Sequence, residues 1–224
     1  MRAVIYERRE IENGSLLLKT LGESGKIKNF KIPGILKSKT RNSYFLAPAT
    51  LWEFTLAGND REVVTPKEYS LVHAPYDFNT GYRELTRIRE LLNPLAGLKP
   101  GLEIAPLFDD IVQTLYDWHC GDEVLENVLI NRFYLGFLRH MGLLHYLPEC
   151  VHCGAVLGET AQYHLFSGSI CTTCLRRQIY RENEFLPNRW IRDCLENPPA
   201  NGIFSREQES AFRQKILNFL KIST

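Results

Sequence analysis

The sequence predicts an α+β protein in which a small β-barrel is followed by a helical bundle bearing a four-sulfur metal site. Three observations carry that reading. Residues 1–72 are short apolar or alternating runs broken by turn residues, and from Gly81 onward the apolar positions recur at three and four. Cys150-Val-His-Cys153 is then separated by the seventeen residues from Gly154 to Ile170 from a second pair, Cys171-Thr-Thr-Cys174. A chain of 224 residues can bury a sizeable core as one large domain or two small ones. A metal here need not replace a missing core and is expected to fix one local excursion of the chain.

The β reading rests on Ala3–Tyr6, Ser15–Leu21, Lys26–Ile32, Tyr44–Leu46 continuing through Trp52–Leu56, and Glu62–Val64. Turn chemistry separates them at Asn13-Gly14, Gly22 with Ser24-Gly25, Pro33-Gly34 and Gly58-Asn59-Asp60. Five short strands in about seventy residues point to a closed barrel, with the five-stranded OB-fold the leading candidate and an SH3-like barrel the alternative. Domain boundaries are expected at 1–76 for this barrel and 77–224 for a helical domain with a metal-binding insertion at 148–176.

The barrel is where positive charge gathers. Residues 1–72 carry 12 Lys/Arg against 8 Asp/Glu, residues 73–150 carry 6 against 11, and residues 151–224 carry 9 against 7, although the whole chain is only +1. Between Lys19 and Arg41 there are seven basic residues and one acidic residue, Glu23. Lys26 and Lys28, two apart, should share a strand face, with Lys31 nearby and Lys37, Lys39 and Arg41 in the following loop. Such a surface suits phosphate backbones, whose binding is driven by counterion release and steered by a long-range field. The alternative is a solvated edge whose lysines prevent aggregation. Tyr44, Phe45, Trp52 and Phe54 could stack on unpaired bases, though half or more are expected in the core.

Three helices follow. Tyr82, Leu85, Ile88, Leu91 and Leu92 define the first, ending near Asn93-Pro94; Leu107, Ile111, Leu115 and Trp118 stripe a second from Ala105 to Trp118. The third, Val124 to Leu144, is apolar on every face and should lie buried at the centre of the bundle. Asp109, Asp110, Asp117, Asp122, Glu123 and Glu126 are expected to make the bundle's outer surface acidic. They read as a solvated face rather than as an acid/base pair, since Asp109 and Asp110 are adjacent and point to different sides.

The cysteine spacing fits two knuckles that each offer two sulfurs to one zinc ion. Two disulfides are the rival reading and would require an oxidising compartment. Met1–Glu10 has no apolar run of signal-peptide length, and no stretch has the length and apolarity of a membrane span, so the expectation is a cytoplasmic protein with a structural zinc. Four thiolates would leave no open coordination position. Between the knuckles, Ala161–Phe166 and the Ser167-Gly-Ser turn read as a hairpin; Leu175 onward reads as a helix, with Arg176, Arg177 and Arg181 a second phosphate contact or an ordinary charged face. Pro187 begins another helix, and Ser205 with Gln208 can cap a last one. Cys120 and Cys194 read as buried thiols. No glycine-rich phosphate loop, Gly-x-Ser-x-Gly elbow or His-Glu-x-x-His occurs.

Phe137-Leu-Arg-His-Met-Gly142-Leu-Leu-His-Tyr-Leu-Pro148-Glu-Cys150-Val-His-Cys153-Gly154, the second knuckle Gly168-Ser-Ile-Cys171-Thr-Thr-Cys174, and Pro33-Gly34-Ile-Leu-Lys37-Ser38-Lys39 resemble the RecO family of bacterial DNA-repair proteins. The likeness runs in outline over residues 1–180 and is family-specific from Gly142 to Cys174. This chain has Ser167-Gly-Ser where a Gly-Gly pair is more usual. The resemblance implies a non-enzymatic recombination mediator, nucleoid-associated during repair. Such proteins bind single- and double-stranded DNA, anneal complementary strands, contact the single-strand-binding protein SSB, and act with RecR to load RecA. It also implies DNA contacts at Lys26, Lys28, Lys31, Lys37, Lys39 and Arg41 and one structural zinc at Cys150, Cys153, Cys171 and Cys174. The competing classes are a zinc-stapled adaptor that joins proteins without touching DNA, and a metal-dependent hydrolase.

Overall fold

The structure is a computed structural model. It describes residues 1–38, 44–56, 63–77, 79–98, 103–144, 148–164, 167–177, 185–189, 191–192, 213–214 and 216–218. Two compact units are present, Met1–Glu126 and Asn127–Thr224.

The first unit is built on a six-stranded sheet. Its strands are β1 (Arg2–Ile11), β2 (Ser15–Gly22), β3 (Ile27–Ile32), β4 (Thr50–Thr55), β5 (Val63–Val64) and β6 (Glu68–His73), in the order β5-β3-β2-β1-β4-β6. All pairs are antiparallel except β3 with β5. The expected closed five-stranded barrel is thereby corrected. The last expected run, Glu62–Val64, contributes β5, and beyond Pro66, which has no N–H to give a ladder, β6 is a sixth strand not among the expected runs. β5 pairs with β3 and β6 with β4, which leaves an open hydrogen-bonded order with β5 and β6 at its ends.

One face of the sheet packs a core of Ala3, Ile5, Leu16, Leu18, Phe30, Ile32, Trp52, Phe54 and Val64. The side-chain period of two puts these on one side of every strand. Phe30 and Phe54 stack with centroids 4.2 Å apart, and the Trp52 indole N–H donates to Phe45 O at 3.1 Å and Thr50 Oγ1 at 2.9 Å. Trp52 and Phe54 are therefore core residues rather than base-stacking platforms.

The unit extends past residue 76 because its helices join the sheet. Here α1 is Tyr82–Leu92 and α2 is Ala105–Asp117, and α2 and the 3-10 stretch Asn93–Gly97 both pack on β1. His73 Nε2 meets Leu115 O at 3.0 Å, and Cys120 Sγ donates to Pro75 O at 3.3 Å. Cys120 is exposed, not buried as expected; the expectation for Cys194 lies outside the described residues. The buried faces of α1 (Ile88, Leu91, Leu92) and α2 (Leu107, Phe108, Ile111, Leu115) follow the expected stripes, except that Tyr82, expected on the first, is exposed.

The third helix, α3, spans Glu123–His140 and is buried on nearly every side, from Leu129 and Ile130 through Phe133, Tyr134 and Leu135 to Phe137 and Leu138. It stops four residues earlier than expected. Gly142 N–H donates to Arg139 O and Leu143 N–H to Leu138 O, the paired bonds that close a helix C-terminus. Glu126 departs from the expected acidic surface: it is 3% exposed, accepts the Gly121 N–H at 2.9 Å and lies 3.6 Å from Arg87 Nε. In the second unit, buried Arg213 donates to Asn131 Oδ1 at 2.8 Å and Asn127 Oδ1 at 2.7 Å. No helix among the described residues is long and apolar enough to cross a membrane.

Candidate metal centre and nucleic-acid interface

The four cysteines arrive from two local structures. In the first knuckle, Cys150 N–H donates to Ala155 O and Gly154 N–H to Cys150 O, both at 2.8 Å. Gly154 takes φ +69°, a left-handed conformation that closes this tight loop without a Cβ penalty. The second knuckle follows a hairpin of β7 (Gln162–His164) and β8 (Gly168–Ile170), and Cys171 caps the short helix α4 (Thr172–Leu175). A third strand, β9 (Phe185–Pro187), pairs with β7 and was not expected. Val151 N–H donates to Ser169 O at 3.0 Å and so ties one knuckle to the hairpin that delivers the other. Ser169, fully buried, donates to Asn188 Oδ1 at 2.8 Å. The Ser-Gly-Ser turn is thus accommodated with Gly168 at φ +94°.

The four sulfurs all lie within 4.8 Å of one another, with Cys153 Sγ 3.8 Å from Cys171 Sγ. A tetrahedron of 2.3 Å metal–sulfur bonds has edges of about 3.8 Å, so the cluster fits one tetrahedral ion. Backbone N–H groups already point at the sulfurs: Cys171 N–H to Cys150 Sγ and Cys174 N–H to Cys171 Sγ, each at 3.4 Å. Burial pushes the Cys150 thiol up, but the N–H groups of Cys171, His152 and Cys153 outweigh it and hold the thiol down at about 6. Cys174 moves the other way, to about 12, because of the hydrogen bond with Cys153 and then burial. Four thiols this close cannot all ionise unless a cation offsets the accumulating charge, which is what a bound metal would do. His152 is exposed and is not part of the sulfur cluster.

The cationic residues of the sheet do not form the single face expected of them. Lys26 precedes β3 at the β2–β3 turn and pairs with Glu103, Nζ to Oε1 at 2.9 Å. Lys28 lies in the row Ile5–Thr20–Lys28, on the side of the sheet that carries Phe30 and Ile32. Lys31 is an odd number of residues away and faces the opposite side, exposed. Lys37 is exposed at the end of the 3-10 turn Ile35–Lys37, whose Ile35 is anchored in the core. Among the described residues, neither Lys31 nor Lys37 has a carboxylate partner. Lys39, Arg41 and Arg181 lie outside the described residues, while Arg176 and Arg177 are exposed just after α4.

Sequence reasoning passed over Arg9. It is exposed on β1 opposite Leu17, which itself lies opposite Lys31, so the three form one cross-strand row. The sequence held no local signal for this: a period of two counted from Ala3 and Ile5 puts Arg9 on their core face, and the register shift between Ile5 and Glu7 turns it to the other side.

Comparison with known proteins gives one family. Residues 95–183 match the model described as Recombination protein O C terminal, a span that includes α2, α3 and all four cysteines. No curated protein matches the chain. The likeness is thus of this span, less than half of the chain, to the C-terminal domain of recombination protein O.

Proposed function

Taking the chain as a RecO-family protein on the match over residues 95–183, we propose that it is a recombination mediator. In this reading it binds single- and double-stranded DNA, anneals complementary strands, and acts with RecR and SSB to load RecA. The observation that carries the reading is that the matched span holds four sulfurs in the geometry of a closed metal site, which braces the fold and leaves no coordination position for chemistry. Soft thiolate ligands in a tetrahedron favour zinc, held by Cys150, Cys153, Cys171 and Cys174. RecO-family proteins are mediators, generally not enzymes.

Annealing requires that two phosphate backbones approach each other. Cationic side chains do this by displacing condensed counterions, with no bond made or broken. Exposed Lys31 and Lys37 support a role for the sheet, and Lys26, Lys28, Lys39 and Arg41 remain proposed contacts around them. Arg176, Arg177 and Arg181 are a proposed second contact beside the metal site.

An electrophoretic-shift titration with single- and double-stranded oligonucleotides across a salt series tests the proposal, alongside an annealing assay. Affinity should fall steeply with salt, and joint charge reversal at Lys37, Lys39 and Arg41 should weaken binding without unfolding the chain. Absent or salt-insensitive DNA binding together with tight capture of RecR or SSB would favour a zinc-stapled adaptor instead.

A further inference from the structure

Resting on the DNA-binding reading, we infer that the phosphate contact on the sheet centres on Arg9 together with Lys31 and Lys37, and that Glu7 restrains it. The register places the row. Arg9 of β1 is opposite Leu17 of β2, and Leu17 is opposite Lys31 of β3. Directly opposed residues share a face, so Arg9 and Lys31 flank Leu17, separated by two strand spacings of about 4.8 Å each. Leu17 is half-buried, while Arg9 and Lys31 are exposed.

Lys37 joins them at the same end of the sheet. The β1–β2 connection is the turn Glu12–Gly14, and a Cβ on Gly14 would fall 2.8 Å from Lys37 Cγ. The aliphatic stem of Lys37 therefore lies on Gly14, next to the strand ends that carry Arg9 and Lys31, and its exposed ammonium is held there. Lys26 belongs to the far end of β3, at the β2–β3 turn, with Glu103 beside it.

Glu7 occupies the next row, opposite Lys19. Its carboxylate reaches Lys19 Nζ at 2.7 Å with Oε2 and an Arg9 guanidinium nitrogen at 3.6 Å with Oε1. An incoming phosphate meets the same two cations that Glu7 holds. Glu7 acts as an internal competitor: it keeps Arg9 and Lys19 in place before DNA arrives and lowers affinity by the amount needed to displace it. Glu12, in the turn, adds a second carboxylate at this end and narrows the positive region to Arg9, Lys31 and Lys37.

The test uses the full chain and a fluorescent oligothymidylate, read by anisotropy over a salt series, with thermal unfolding to confirm that each variant is folded. Arg9→Ala should lower the slope of log affinity against log salt by about 0.7 and weaken binding about five-fold at 0.1 M salt, the loss of one single-strand phosphate contact. Glu7→Gln should tighten binding several-fold. Arg2→Ala removes the same charge from the far end of the same strand and should leave the slope unchanged. If Arg9→Ala binds like the parent, or if Arg2→Ala weakens binding as much, the Arg9 contact is wrong while the DNA-binding reading stands. Unchanged affinity in Glu7→Gln would overturn the restraint. If the parent fails to bind the oligonucleotide even at low salt, the DNA-binding reading falls as well.

Discussion

Lys26 Nζ lies 2.9 Å from Glu103 Oε1, and the two residues also form an isolated antiparallel bridge between the start of β3 and the approach to α2. Lys26 is therefore a tether within the first unit before it is anything else. Both side chains are about half exposed, so the ion pair itself contributes no more than about 1 kcal/mol. Its consequence is for binding: a phosphate at Lys26 must compete with a carboxylate, whereas one at Lys31 need not. Lys31→Ala should weaken oligonucleotide binding more than Lys26→Ala, as measured by anisotropy. Glu103→Gln should narrow the difference between the two.

The same junction makes Gly25 irreplaceable. Its φ is +78°, and a Cβ there would fall 2.2 Å from the Ile104 carbonyl carbon and 2.3 Å from Ala105 N, both backbone atoms. Ile104 N–H also donates to Gly25 O at 3.3 Å. Left-handed strain of about 1–2 kcal/mol and overpacking of about 1–3 kcal/mol act together in Gly25→Ala. The variant should lose at least about 2 kcal/mol in urea denaturation. Gly34→Ala, with positive φ but open space around its Cβ, should lose less.

What could be read from the sequence follows the range of the interactions. Ligand spacing at Cys150, Cys153, Cys171 and Cys174 is local, and so is the all-round apolarity of α3; both appear in the structure as the sequence implies. Strand β6 was missed: its residues are half-buried or exposed throughout, so no apolar run marks Glu68–His73 as a strand. Partnerships between distant segments left no local trace: Lys26 with Glu103, and Glu126 with both the Gly121 N–H and Arg87. The third strand of the ribbon, Phe185–Pro187, is only three residues long and ends in proline, so its pattern resembles a helix entrance rather than a strand. That Lys28 and Lys31 face opposite sides was available from parity alone.

Two tyrosines give the first unit an alkaline limit. Burial, and then the Glu7 charge, push the Tyr6 phenol up to about 12; burial, and then Tyr44, push Tyr76 higher still, and its hydroxyl donates to Pro48 O at 2.9 Å. The folded chain holds both protons more tightly than the unfolded chain, whose tyrosines titrate near pH 10. The resulting stability is whole below about pH 10 and is lost as the pH rises through the folded values. In a spectrophotometric titration, Tyr6 and Tyr76 should ionise only as the chain unfolds. Tyr6→Phe should move the alkaline unfolding midpoint upward. Complete tyrosine ionisation near pH 10 in a chain that is still folded would contradict the burial of these rings.

Metal removal should act locally, for a reason visible in the packing around the sulfurs. Direct hydrogen bonds join the two knuckles, and β7, β8 and β9 with buried Tyr163, Ile170 and Leu186 form a layer too small to hold four mutually repelling thiolates together unaided. Structural zinc in small domains contributes about 10–16 kcal/mol of apparent binding free energy, and that free energy here acts on the same few residues. The sheet of the first unit, with its own core from Ala3 to Val64, does not depend on it. The purified chain should contain one zinc per molecule, and a cobalt-substituted sample should show the absorption of four sulfur ligands. Chelation, or Cys153→Ser, should abolish hydrogen-exchange protection across residues 148–176 and leave β1 to β4 protected. If protection disappears from the sheet at the same chelator concentration, the metal supports the whole chain and not one excursion of it. If the zinc content is unchanged in Cys153→Ser, the fourth ligand has been misassigned.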